Sequence, residues 1–252
     1  MGHDTQARLV TTVVVGASSG LGRALAEELA RAGHELLLVA SDPRDLCAIA
    51  ADLGLRHSAK VHTLAMDLAS TADPGARLLA ALAELPALSA LLLPVGQSRV
   101  DDDGSLGAAA TGQLLAINLH APIAIVQALL PALLEARGVV VGFGSVAAVR
   151  GRSRNMVYAA AKKGLQGFFE SLRHRHSQQG LRVQFHRLGF MRSNLTHGMR
   201  LPLPLAEPAQ VASQVVANLE KTSFDRHAPR WWAIPAFIIA HLPWFVFRRM
   251  DA

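Results

Sequence analysis

The sequence predicts an α/β fold in which a single doubly wound parallel sheet of about seven strands carries helices on both faces. Three observations predict it. Short apolar runs recur along the chain, each followed by a stretch with apolar residues at helical spacing, the alternation of successive βα units. The runs are almost continuously apolar, as strands covered on both faces require. The first of them passes through Gly16-Ala17-Ser18-Ser19-Gly20-Leu21-Gly22 directly into a helical pattern, the order strand, glycine turn, helix start.

Taken in order, strands are predicted at residues 9–15, 35–40, 60–65, 90–95, 139–143 and 182–186. The stretch RWWAI at 230–234, stopped by Pro235, reads as a seventh, edge strand. Helices are predicted at 20–32, across Cys47, over a long segment 106–136, and at 156–172. The acidic run Asp101–Asp103 reads as a solvated turn. With 252 residues, 51% of them hydrophobic, the chain is long enough to bury one large core, and 1–252 reads as one domain. The single cysteine, Cys47, cannot form an internal disulfide and reads as helix packing in a reducing, cytoplasmic compartment; the start MGHDTQARL carries no export pattern. His174, His176 and His186 lack Cys or carboxylate companions and read as solvated side chains, so no metal is expected.

Two constellations carry chemistry. Glycines at 16, 20 and 22, spaced Gly-x-x-x-Gly-x-Gly, let the backbone turn tightly and approach a pyrophosphate held by the N–H groups at a helix start, with Ser18, Ser19 and Leu21 in the same turn. Ser145 follows the apolar run at 139–143; Tyr158 comes thirteen positions later and Lys162 four after that. In a helix, Tyr158 and Lys162 share a face, so the ammonium is expected to lower the phenol pKa and fit it for proton exchange with an alcohol or carbonyl. Ser145 adds a hydroxyl donor where charge develops on the carbonyl oxygen.

Together these motifs resemble the classical short-chain dehydrogenase/reductase family over about residues 10–235. The resemblance implies a Rossmann-like sheet binding a nicotinamide dinucleotide, and hydride transfer between that cofactor and a carbonyl or secondary alcohol. The family's glycine motif falls on Gly16, Gly20 and Gly22, its adenine-side acidic position on Asp67 with Leu68 following, and its active-site tetrad on Asn118, Ser145, Tyr158 and Lys162. Lys162 is expected also to hold the nicotinamide ribose, and Asn118 to support a water-linked proton path. Gly96 closes the segment after the fourth strand, and Gly189 and Ser193 stand where the family has its later proline–glycine and hydroxyl positions. Three departures stand out: Val15 replaces the usual threonine, Leu93-Pro94-Val95-Gly96 replaces Asn-Asn-Ala-Gly, and Leu188 replaces proline. They imply altered packing around the turns with the tetrad whole.

Cofactor choice turns on the end of the second strand, Ala40-Ser41-Asp42-Pro43-Arg44. No acidic residue stands at Ala40 to receive the ribose hydroxyls, and Ser41 occupies a position where many NADP-dependent relatives carry arginine; Arg44 can reach a 2′-phosphate, but Asp42 can repel one and Arg44 reads more simply as a helix-surface charge, and NADP(H) is favoured over NAD(H). The segment 189–208 corresponds to the family's substrate loop, and its apolar Phe190, Met191, Leu195, Met199 and Leu201 suggest a lipophilic substrate. Arg150, Arg152 and Arg154 read as a solvated loop, with recognition of an anionic substrate as the alternative. The tail 236–252 is too short in apolar residues to span a bilayer and has three readings: a cover for the pocket or a subunit interface, a peripheral membrane contact through 236–249, or core. A homodimer or homotetramer follows from the resemblance. The net charge of +6 comes with no aromatic-basic nucleic-acid motif, so nucleic acid is not an expected partner. The rival functions are a non-catalytic dinucleotide sensor and a membrane-peripheral scaffold.

Overall fold

A computed structural model describes residues 10–192, 204–222 and 224–250. Seven parallel strands form one sheet: β1 (Thr11–Val15), β2 (Glu35–Ala40), β3 (Val61–Ala65), β4 (Leu88–Leu93), β5 (Val139–Ser145), β6 (Arg182–Leu188) and β7 (Asp225–Ala228), in the order β3-β2-β1-β4-β5-β6-β7. The order reverses direction beside β1, which opens a crevice at the carboxyl ends of β1 and β4.

Alternate side chains supply the two cores. Val14, Leu36, Leu38, Leu92 and Val141 face α1 (Gly20–Arg31), α2 (Pro43–His57) and α7 (Pro208–Val216). Val13, Leu37, Leu91, Val140 and Phe185 face α3 (Pro74–Leu82), α5 (Ala121–Glu135) and α6 (Met156–His176). In α1 the buried Leu21, Leu25, Ala26 and Leu29 recur on one face, which is why this segment lies flat against the sheet. Asp42 and Asp73 cap α2 and α3 by accepting from Arg44 N and Ala76 N, each ahead of a proline in the first turn.

The predicted long helix is continuous but not uniform. Between α4 (Ala108–Leu115) and α5 lies one π-type turn, Ala116–His120, in which the Ala121 N–H reaches back five residues to the Ala116 carbonyl. Pro122 has no N–H for the Asn118 carbonyl, and Asn118 Nδ2 donates to the Leu114 carbonyl at 2.9 Å, so the ladder shifts at this point.

Four expectations need correction. The last strand is β7, Asp225–Ala228, paired with Phe185–Leu188, and the predicted strand at 230–234 is instead a 3-10 turn (Arg230–Trp232) leading into α8 (Ala233–His241). Pro235 falls in the first turn of α8, where a missing N–H costs nothing, so it marks a helix start rather than a strand end. Cys47 is exposed on α2 and takes no part in the core. His186 is 5% exposed in β6 and stacks on Phe143 at 5.6 Å; burial pushes its pKa down to about 4, so it is a neutral core ring. Asp102, in the acidic run read as solvated, is buried.

Candidate active site

The carboxyl ends of β1 to β6 and the start of α1 enclose a cleft of about 420 Å³. It is lined by Gly16, Ser18, Ser19, Gly20 and Leu21, by Ser41 after β2, by Asp67 and Leu68 after β3, and by Gly96, Tyr158 and Lys162. These groups converge although they come from segments up to 146 positions apart along the chain, 16 to 162; Ser145 follows the lining Gly144 and reaches the cleft only through its hydrogen bond to Tyr158. The glycine turn has the shape a pyrophosphate requires. Gly16 has φ +93°, and a Cβ there would lie 2.9 Å from Val95 Cα; at Gly22 a Cβ would stand 1.9 Å from the Gly16 carbonyl oxygen. Gly22 is therefore the close contact between α1 and the turn, while the first turn of α1 faces the cleft with unshielded N–H groups. These features fit a dinucleotide.

Several predicted residues lie behind the wall. Asn118 is fully buried: its Oδ1 accepts from Gln97 N at 3.1 Å and its Nδ2 donates to the Gln97 carbonyl at 2.8 Å. A Cβ on Gly96 would be 3.4 Å from that Oδ1 and 3.3 Å from Lys162 Nζ, so a side chain there would press on both groups by a few tenths of an ångström. Lys162, 3% exposed, donates to the carbonyls of Val95 at 2.9 Å and Phe143 at 3.2 Å. The altered segment Leu93-Pro94-Val95 therefore reaches Lys162 through its backbone, which any side chain at 95 supplies. Gly189 lies under the Trp232 indole, 2.0 Å from where a Cβ would be. Arg44 is not in the cleft wall; its side chain, 89% exposed, pairs with Asp42 at 2.9 Å. Ser193, with Leu195, Met199 and Leu201, lies outside the described residues.

The electrostatics differ from the sequence expectation. Lys162 Nζ stands 6.0 Å from the Tyr158 ring centroid, and burial raises the phenol pKa above its usual value while the Ser145 hydroxyl, hydrogen-bonded to it, pulls the other way. Burial lowers Lys162 to about 8. The lysine, not the tyrosine, is thus the group that titrates near neutral pH. Ser145 Oγ accepts from Ala147 N at 3.1 Å, which fixes its oxygen and leaves its hydrogen for the phenol.

Asp102 is the residue that sequence reasoning missed. It is 1% exposed, and its carboxylate oxygens accept from Val157 N and Tyr158 N, both at 2.9 Å, while its carbonyl accepts from Met156 N at 3.2 Å. Asn155, which precedes α6, makes no side-chain cap, so the helix that carries Tyr158 and Lys162 is capped from 55 residues away. Asp102→Ala is expected to cost about 2 kcal/mol of stability by orphaning two buried N–H groups. It is also expected to lower kcat about tenfold with cofactor affinity retained, because Tyr158 loses its backbone anchor. Thermal unfolding and steady-state kinetics of the variant check this, and an unchanged kcat would exclude a positioning role.

Residues 10–202 match the family model described as short chain dehydrogenase. An uncharacterized oxidoreductase of Mycobacterium tuberculosis is 32% identical over 246 residues, covering 94% of this chain and 96% of that protein. A very-long-chain 3-oxoacyl-CoA reductase of Aspergillus clavatus is 27% identical over 231 residues, 88% of this chain and 66% of the relative. Among solved structures, a short-chain dehydrogenase from Sphingobium yanoikuyae in complex with NADPH superposes with a TM-score of 0.80 at 24% identity, over 97% of this chain and 99% of that one.

Proposed function

The chain belongs to the short-chain dehydrogenase family and is an NAD(P)-dependent oxidoreductase acting on the CH–OH/C=O pair, and on that premise we propose that it reduces a lipophilic carbonyl with NADPH through Tyr158. The observation that carries this reading is that Tyr158, hydrogen-bonded to Ser145, and Lys162 line the same cleft as the glycine turn. When bound, the cofactor supplies the hydride. The first turn of α1 receives the pyrophosphate, and Asp67 and Leu68 border the adenine side. Tyr158 gives its proton to the carbonyl oxygen, and the Ser145 hydroxyl, its one hydrogen turned from the phenol to that oxygen when substrate is bound, stabilises the charge that develops there. Lys162 holds the ribose hydroxyls and returns a proton to the phenol. Asn118, with its amide spent on Gln97 and Leu114, braces the Gly96-Gln97 backbone beside Lys162.

Preference for NADPH is supported by the end of β2. Ala40 and Ser41 offer no carboxylate to the cleft, and the Asp42 carboxylate is engaged by the Arg44 guanidinium and caps α2, with its pKa held low by that contact. A lipophilic substrate is supported by Ile117, Phe143, Leu188 and Met191, which line the same cleft as Tyr158. A homodimer or homotetramer is supported by membership of the family alone. A reducing, cytoplasmic setting suits the lone exposed thiol of Cys47. The test is a fluorescence titration with NADPH and NADH followed by a panel of aliphatic ketones of rising chain length. Tighter binding of NADPH and kcat/KM rising with chain length are expected; equal binding, or a preference for short polar carbonyls, would overturn the respective half.

The pH dependence follows from Lys162. With its pKa at about 8, the ammonium needed for reduction is present below that value and is lost as pH rises through it, so kcat/KM for reduction falls above about pH 8. The phenol, raised by burial, keeps its proton throughout this range. In Lys162→Arg the residual activity loses this limb, because a guanidinium stays charged to about pH 12. A pH–rate profile of the two proteins checks it.

A further inference from the structure

The chain ends in two short helices, α8 and α9 (Trp244–Phe247), joined at Leu242-Pro243. Outside His241, α8 has no polar side chain on any face, yet only Ala236 is buried. Ile234 is 68% exposed, Phe237 66%, Trp244 66% and Phe245 61%. Eight of the thirteen large hydrophobic residues exposed among the described residues lie between 231 and 250. Apolar surface gathered in this way marks a contact with another apolar phase.

The patch is held in place. Arg150 donates to the carbonyls of Ile239, at 3.2 Å, and Leu242, and its guanidinium lies 4.0 Å over the Phe247 ring. At the root of α8, Trp232 is 2% exposed and meets Phe190 edge-on at 5.0 Å. Arg150, one of the three arginines read as a solvated loop, therefore anchors the tail to the loop between Ser145 and Tyr158.

The charge around the patch decides what it meets. Arg230 precedes α8, Arg248 and Arg249 follow α9, all three exposed, and residues 229–250 contain no Asp or Glu. A second copy packed here through the same patch would bring three arginines toward three arginines, with Asp251 the one acidic side chain in residues 229–252. An anionic surface neutralises them. Exposed Trp and Phe beside basic residues is also the composition that settles at a lipid headgroup boundary, and α8, at nine residues, lies far below the ~20 needed to span a bilayer. We propose that α8 and α9 form a peripheral foot that docks on anionic lipid bilayers, with Phe237, Trp244 and Phe245 entering the interface and Arg230, Arg248 and Arg249 resting on lipid phosphates. Trp232 at the root of the foot packs on Phe190, whose chain neighbour Met191 lines the cleft, so docking brings that end of the cleft toward the lipid; this last step rests on the lipophilic-substrate reading, while docking does not.

The experiment is co-sedimentation of the full chain with vesicles of equal parts phosphatidylglycerol and phosphatidylcholine, and with pure phosphatidylcholine, without cofactor or substrate. Strong partition to the anionic vesicles is expected, weakening as salt rises. Arg248→Gln/Arg249→Gln is expected to weaken it about fivefold per arginine, and Phe237→Ser/Phe245→Ser by about tenfold or more. Both double variants should reduce a water-soluble ketone at the wild-type rate, which shows that they fold and separates docking from catalysis. Absence of wild-type binding to anionic vesicles would overturn the proposal. So would a dimer that the phenylalanine substitutions dissociate while vesicle binding stays unchanged, since the patch would then belong to a second copy.

Discussion

Tyr158→Phe is expected to lower kcat/KM about a thousandfold while leaving NADPH affinity within about twofold, a loss of about 4 kcal/mol of transition-state stabilisation. The substitution removes one oxygen, the one hydrogen-bonded to Ser145, and leaves the ring that lines the cleft. Backbone contacts of residue 158 with Asp102 do not involve the phenol, so α6 keeps its cap and Lys162 its carbonyl partners. Turnover and cofactor binding should therefore separate. Measuring both on one preparation is decisive, because a variant that keeps even a tenth of wild-type turnover would mean that another group supplies the proton. Ser145→Ala should fall between the two: its hydroxyl touches the phenol directly but is not the proton donor.

The second large effect concerns binding. In Gly22→Ala the new methyl would stand 1.9 Å from the Gly16 carbonyl oxygen and 2.7 Å from its carbon, both backbone atoms that no rotamer change can move aside. Either α1 shifts away from the turn or the turn opens. Overpacking of this kind costs about 3 kcal/mol, and the same shift moves the N–H groups at the start of α1 that would receive a pyrophosphate. NADPH affinity is expected to fall about a hundredfold, close to 2.7 kcal/mol, with the unfolding midpoint lowered as well. Gly33→Ala is the control: this glycine has φ +82° but nothing within 4 Å of its Cβ position, so the expected cost is backbone strain alone, with affinity unchanged. Fluorescence titration and thermal unfolding of the pair test the argument, and equal affinities would remove Gly22 from the cofactor site.

How much of this was legible beforehand depends on the range over which each feature is encoded. Strands β1 to β6 fall within two residues of their predicted limits, because a short apolar run bounded by glycine, proline or polar residues is a local signal. The glycine turn and the four-residue step from Tyr158 to Lys162 are local in the same sense, and both reach the cleft. Errors arose where a local signal had two meanings. Pro235 suits a strand end and a helix start equally, and pairing with β6 placed the strand at Asp225–Ala228, where Arg187 forms an ion pair with Asp225. The acidic run at 101–103 looks uniform in sequence, yet Asp101 and Asp103 are exposed and Asp102 is not.

The sequence by itself determined the order of βα units, the family, and the candidate proton-transfer set, since each rests on residue type and short spacing. Only the tertiary structure decided that Lys162 rather than Tyr158 titrates near neutral pH, because that follows from desolvation by groups distant in the chain. It alone decided that Asp102 caps, from 55 residues away, the helix that carries Tyr158 and Lys162. It also decided that the apolar tail, which composition would equally allow to be core, is fastened by Arg150 with most of its large side chains outside. Burial and long-range pairing are properties of the folded surface, and no window of sequence contains them.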